Sequence, residues 1–203
     1  VVHSRHVEND DAAARFLREA RAMAKVSDRS VVAVFDADQD HDRLFIAMEF
    51  IDGKTLGGLI RDRTPSELRD WRRWLRIMLF AGNGLAAAHR AGVLHRDFKP
   101  DNILVERNGR VCVSDFGLAD LSDAQTSRAS TSNLMLHHIA DAELTTTGAL
   151  LGTPLYMSPE QLRGGAVDAR ADQFSFCVAA YEVLFGERPF TAELDRQQPI
   201  AAQ

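Results

Sequence analysis

The stretch VLHRDFKPDNILVERNGRVCVSDFG, residues 93–117, sets Asp97, Lys99 and Asn102 within six positions and then runs through two short β-rich segments joined at Asn108-Gly109. An Asn-Gly pair between such segments is a strong hairpin signal. Counting outward from a two-residue turn pairs Arg107 with Arg110, Val105 with Cys112, Ile103 with Ser114 and, at the open end, Asn102 with Asp115. Directly opposed residues hold their Cβ atoms roughly 4.5–5.5 Å apart, so an amide oxygen and a carboxylate would converge on one hard cation. Magnesium shared with phosphates suits so sparse a protein ligand set, because the ion keeps waters and takes substrate oxygens. Asp97 and Lys99, upstream on the same loop, would overlook that ion.

Before this stretch, LRDWRRWLRIMLFAGNGLAAAHRAG puts Trp71, Trp74, Met78, Ala81, Leu85 and Ala88 at helical spacing, with Gly92 placed to end the helix. Inside it GNGLAA, residues 82–87, matches the dinucleotide fingerprint G-x-G-x-x-[GA]. That motif needs a strand before it and a helix starting at the glycines. These glycines fall in mid-helix, so close helix packing is the expectation and a dinucleotide enzyme is set aside.

Further upstream, AAARFLREARAMAKV reads as a helix capped by Asn9, Asp10 or Asp11, with Phe16, Ala20 and Met23 on its inner stripe. Glu19 shares that face and requires a cationic partner. Arg15, one turn earlier, is the local candidate. VVAVFD and RLFIAMEF read as two strands, with DADQDHD between them as a longer loop, and IDGKTL marks a boundary between lobes.

At 203 residues, 45% hydrophobic and 26% charged, the chain can bury a sizeable core. A net charge of −5 argues against a general nucleic-acid binder. Two cysteines, Cys112 and Cys177, both in apolar runs, argue against a disulfide framework and fit a reducing, cytoplasmic compartment. The longest apolar run, FSFCVAAYEVLF, is too short to span a bilayer.

HRDFKPDN followed by DFG resembles the catalytic loop and metal-binding turn of eukaryotic-type serine/threonine protein kinases, with bacterial members as the favoured subgroup. The resemblance extends through the helix bearing Glu19, MEFIDG, GTPLYMSPEQ and DQFSFCVAAYEVLFGERPF, over nearly the whole chain. It implies an α+β, bilobal fold, with residues 1–52 as a partial β-rich N-terminal lobe and residues 53–203 as a mostly helical C-terminal lobe. It implies ATP and magnesium, with manganese as the alternative ion, and Ser/Thr-bearing protein substrates, with no nucleic acid and no membrane contact in this segment. Asp97 would accept or orient the proton of the substrate hydroxyl, Lys99 would neutralise the transferring group, and Asn102 and Asp115 would hold the metal. Lys99, two residues after the acid, resembles the serine/threonine and not the tyrosine enzymes. Phe98 stands where the family usually has leucine.

By the same resemblance Met48 looks like the gatekeeper, Glu49 and Ile51 would offer backbone groups to adenine, and Leu104 would lie under the base. Glu19 would pair with the nucleotide-site lysine. His95, Phe116, Glu160 and Asp172 take structural places. Arg96 is the arginine that would bind a phosphate on the activation segment, with Thr145 and Thr147 as candidates for it and Thr153 bonding near the catalytic loop. A homodimer is the arrangement expected for autophosphorylation. Residues 122–143 look like an insertion whose Ser/Thr content suggests a flexible loop; His137-His138 within it cannot form a metal site alone.

No glycine-rich loop and no V-A-I-K lysine precede Glu19; family spacing would set that lysine just before Val1. The chain also stops shortly after GERPF, ahead of the helices that carry the arginine expected to pair with Glu160. The expectation is therefore a piece of a longer protein, inactive alone, with a membrane anchor elsewhere in the full length as a further expectation. A pseudokinase or scaffold that uses the fold for binding is the alternative function.

Overall fold

A computed structural model describes residues 2–6, 10–41, 43–116 and 154–190. Two small antiparallel sheets organise it. The first has the order β1-β3-β2, from Val2–His6 (β1), Val34–Asp40 (β2) and Arg43–Met48 (β3). Helix α1, Asp10–Met23, packs on this sheet through Phe16 and Ala20, which share a core with Val32, Ala37, Leu44, Ile46 and Met48.

Strand β2 corrects the expected loop at DADQDHD. Its residues pair as far as Asp40↔Arg43, and His41, at φ 54°, follows the strand. Aspartates are tolerated because β2 is the edge of the described sheet and is largely exposed, with Ala37 as its buried residue. Asp36 and Asp38 each accept the next residue's backbone N–H at 2.8 Å, which meets donors that an edge leaves unpaired. The Val31–Ala33 part of the expected strand lies outside it, and Val31 makes an isolated parallel bridge to Val113.

The second sheet, β4-β5-β6, consists of Gly53–Thr55 (β4), Ile103–Glu106 (β5) and Val111–Val113 (β6). Its hairpin register is one residue away from the expected one: Ile103 pairs with Val113, Leu104 with Cys112 and Val105 with Val111. The turn holds three residues, Arg107, Asn108 and Gly109. Gly109 N–H donates to Glu106 O at 2.9 Å, Glu106 N–H donates to Arg110 O at 2.8 Å, and Gly109 takes φ 89°. This is a tight turn followed by a left-handed residue that only glycine adopts without strain. Asn102 consequently lies opposite Ser114, not Asp115.

Helices cover this sheet: α2 (Leu56–Asp62), the short α3 (Pro65–Leu68), α4 (Trp71–Arg90), the short α5 (Pro159–Leu162) and α6 (Ala169–Phe185). Side-chain caps set their starts: Thr55, Thr64, Asp70, Ser158 and Asp168 each accept a backbone N–H of the first turn. Gly92 and Gly186, at φ 75° and 89°, follow the ends of α4 and α6. The buried stripe of α4 (Trp74, Met78, Ala81, Leu85, Ala88) packs with Val178, Ala179 and Val183 of α6. Trp71 departs from that stripe. It is 48% exposed, with the Arg72 guanidinium over its ring, because the buried face begins one turn later at Trp74.

The glycines of GNGLAA do sit within α4, where close packing explains them. A Cβ on Gly82 would meet the Phe176 ring at 3.3 Å, and one on Gly84 would stand 2.4 Å from the Ser30 carbonyl oxygen. That oxygen is held in place by the Val113 N–H at 2.9 Å and cannot retreat cheaply. Gly84→Ala should therefore be destabilising by about 1–2 kcal/mol, since overpacking at ~1–3 kcal/mol outweighs the ~1 kcal/mol helix preference of alanine. A melting temperature that rises instead would mean that α4 moves freely away from Ser30.

Candidate active site

Asn102 closes a 3₁₀ turn, Pro100–Asn102, and is 7% exposed. Its side-chain nitrogen donates to the Asp97 carbonyl at 2.8 Å and to Asp97 Oδ2 at 3.2 Å. Lys99 Nζ donates to the same Oδ2 at 2.7 Å. Both partners thus hold one oxygen of Asp97, and among the described residues Oδ1 takes no hydrogen bond, so it can receive a substrate proton. With the Asn102 nitrogen committed to Asp97, the planar amide turns its oxygen the other way.

Asp115 stands one residue past the position opposite Asn102. Ser114 N–H donates to Asn102 O at 2.9 Å, and Asp115 follows at φ 58°. The left-handed residue reverses the chain between an exposed Asp115 and a buried Phe116. Ser114 Oγ donates to Asp115 Oδ2 at 3.0 Å, and among the described residues the other carboxylate oxygen takes no hydrogen bond. Two hard oxygens with bonding capacity to spare, one from an amide and one from a carboxylate, fit magnesium.

Beneath the loop, Asp172 of α6 is 1% exposed and accepts three donors: His95 N–H at 2.8 Å, Arg96 N–H at 2.7 Å and His89 Nε2 at 2.7 Å. Arg96 sits at φ 64°, a strained conformation for a residue with a side chain. Its carbonyl accepts Gln161 Nε2 at 2.7 Å, so α5 and α6 brace it from two sides. His95 is fully buried against Phe116, with ring centroids 4.6 Å apart, and burial pushes its imidazole below the usual range. The neutral ring can then accept the Asp97 N–H at Nδ1, 3.3 Å away.

Glu19 finds its cation on the catalytic loop: Arg96 donates to Oε1 at 3.3 Å. Its Oε2 is buried and has no hydrogen-bond partner among the described residues. The side chain of Arg15, the local candidate, lies outside the description. Met48 is 8% exposed and lines a cleft with Ala20, Ile46, Asp115 and Phe116. Ile51 and Leu104 pack against the same cluster. Glu49 is tied to Arg110, and that bond holds its carboxyl below the usual range. Thr145, Thr147, Thr153, His137-His138 and residues 122–143 fall outside the described residues; Glu160 opens α5 within them.

Arg110 and Gln161 carry no functional assignment from the sequence, although Gln161 ends GTPLYMSPEQ and Arg110 stands in the hairpin. Their partners stand 61 and 65 positions away, beyond the reach of any local pattern. A glutamate beside the apolar Met48 was the one available sign that a cation must come from elsewhere.

The family described as "Protein kinase domain" matches residues 1–203. Serine/threonine-protein kinase PknL of Mycobacterium tuberculosis is 41% identical over 193 residues, 95% of this chain and 43% of the relative. Probable serine/threonine-protein kinase PknB of Bifidobacterium longum is 36% identical, covering 91% of this chain and 26% of the relative. The chain thus spans less than half the length of these relatives. Among solved structures, a kinase domain of M. tuberculosis PknI superposes with a TM-score of 0.65 at 26% identity, covering 89% of this chain and 60% of that one.

Proposed function

The chain belongs to the protein kinase domain family, and on that premise we propose that the intact protein is a serine/threonine kinase that transfers the γ-phosphoryl group of ATP to a protein hydroxyl. The observation that carries this reading is the Asp97 carboxylate, pinned through Oδ2 by Lys99 and Asn102 with its second oxygen open. Asp97 Oδ1 orients the substrate hydroxyl and takes its proton. Lys99, held at 2.7 Å, keeps a positive charge where the transferring group develops negative charge. Asn102 and Asp115 would hold magnesium, or manganese in its place, and the bound ion supplies charge neutralisation of the phosphates. Met48, Glu49, Ile51 and Leu104 form the adenine slot, and Glu19 serves the nucleotide side through the lysine that family spacing sets ahead of it.

In this reading residues 1–52 and 53–203 belong to the two lobes, and the kinase domain works in the cytoplasm, where ATP is available. No helix among the described residues is long and apolar enough to cross a membrane. Arg96 is the receiver for a phosphate on Thr145 or Thr147, which two copies of the protein would install on one another. Buried Ser158 and the Gln161 bond to Arg96 connect the far end of that segment to the loop.

Phosphate transfer from radiolabelled ATP to Ser- and Thr-containing peptides, with the intact protein and with magnesium present or chelated, tests the activity. Saturating ATP at about 100 times its Kd should stabilise the fold by ~2.7 kcal/mol. The magnesium-dependent part of that shift should vanish in Asp115→Asn. An unchanged shift in that variant removes Asp115 from the metal site. Nucleotide binding with no transfer would make the protein a scaffold.

A further inference from the structure

The Arg110–Glu49 pair lies outside the catalytic constellation and joins three segments of chain. Arg110 donates from its two terminal nitrogens to Glu49 Oε1 at 2.5 Å and Oε2 at 3.0 Å, and from Nε to the Arg29 carbonyl at 2.8 Å. All three guanidinium nitrogens are therefore engaged. Fork-to-fork geometry of this kind fixes direction as well as distance. The two side chains are only 22% and 27% exposed, so water screens the pair less than it would an ordinary surface pair.

Both ends of the clamp are anchored. Arg110 immediately precedes the return strand of the β5–β6 hairpin; its N–H donates to Asn108 Oδ1 and its carbonyl accepts Glu106 N–H, each at 2.8 Å. Glu49 follows the gatekeeper position Met48; its N–H donates to Ala33 O at 2.9 Å, and its Oε2 also lies 3.4 Å from Ala33 N. Leu104 stands on the same hairpin, paired with Cys112 two residues after Arg110. One wall of the adenine slot is thus tied, through a single guanidinium, to the hairpin that bears the other.

We propose that Arg110 is a positioning residue for nucleotide binding, holding the segment from Glu49 to Ile51 at a set separation and angle from Leu104. Because it rests on ATP being the substrate, the inference is tested only against a wild-type protein shown to phosphorylate a peptide. The intact protein is compared with Arg110→Met, Arg110→Lys and the exchanged pair Glu49→Arg with Arg110→Glu. Arg110→Met should raise the KM for ATP about 10-fold with kcat within about 2-fold, since misplaced binding groups weaken nucleotide capture before they affect the phosphoryl transfer of molecules already bound. Arg110→Lys, which keeps the charge but not the fork, should fall between, and the exchanged pair should recover most of the loss.

If Arg110→Met does not fold, the Lys and exchanged variants carry the comparison alone. A wild-type KM in Arg110→Met, or in Arg110→Lys where only that variant folds, overturns the inference, and so does a lowered melting temperature with KM unchanged, which would mark a merely structural pair. A wild-type protein that neither transfers phosphate nor is stabilised by ATP overturns the kinase reading instead.

Discussion

Asp97→Ala in the intact protein lowers kcat for peptide phosphorylation by about 10²–10⁴-fold, the range for losing a positioned proton acceptor, and leaves the KM for ATP within about 3-fold. The asymmetry follows from geometry. Asp97 contributes nothing to the cleft lined by Met48 and Ile46, but it is the common acceptor for Lys99 and Asn102. Alanine removes the proton acceptor and also frees the Lys99 ammonium and the Asn102 amide from their shared anchor. At 23% side-chain exposure the site is open enough that stability should fall by no more than about 1–2 kcal/mol, the usual effect of a substitution outside the core. Initial-rate assays with ATP and peptide varied separately check it. Full activity in the variant would rule out Asp97 as the base and end the proposed mechanism.

Asp172→Ala costs stability and not only rate: urea denaturation of the variant should show a loss of about 3–5 kcal/mol, the scale for stripping one partner from a buried charged network. His95 N–H and Arg96 N–H would be left in a core with no water to receive them, and His89 would lose its acceptor. The loss should extend to catalysis, because the left-handed Arg96 is held by Asp172 on one side and Gln161 on the other. Asp172→Asn should recover part of it, since its one acceptor oxygen can serve only one of the two opposed backbone donors fully. An Asp172→Ala protein whose midpoint moves by less than ~1 kcal/mol would show that water enters beneath the loop.

Several site residues were legible because the chemistry compresses them into a short span. Asp97, Lys99 and Asn102 share one loop, and the loop reaches Asp115 through a hairpin announced by Asn-Gly. The register is not fixed by the sequence, because Asn108-Gly109 can occupy either a two-residue turn or the last two places of a three-residue turn. Backbone hydrogen bonding chose the latter. Asp115 follows Ser114 at a positive φ, a backbone turn that strand counting alone does not reveal. The edge strand β2 is hidden in the sequence for a different reason: its aspartates look like a loop until the neighbouring strand supplies the pairing.

Local pattern alone determined helices α1 and α4, the existence of the hairpin, the family resemblance and the chemical identity of the loop, because period, cap and turn signals act between residues a few positions apart. Partnership across the fold was decided only by tertiary structure: Glu19 with Arg96, Asp172 with His95 and His89, Gln161 with the Arg96 carbonyl, Glu49 with Arg110. Each joins positions 61 or more apart in sequence. A buried charge shows in sequence that it needs a counterpart; which one it receives depends on where packing has already brought the backbone.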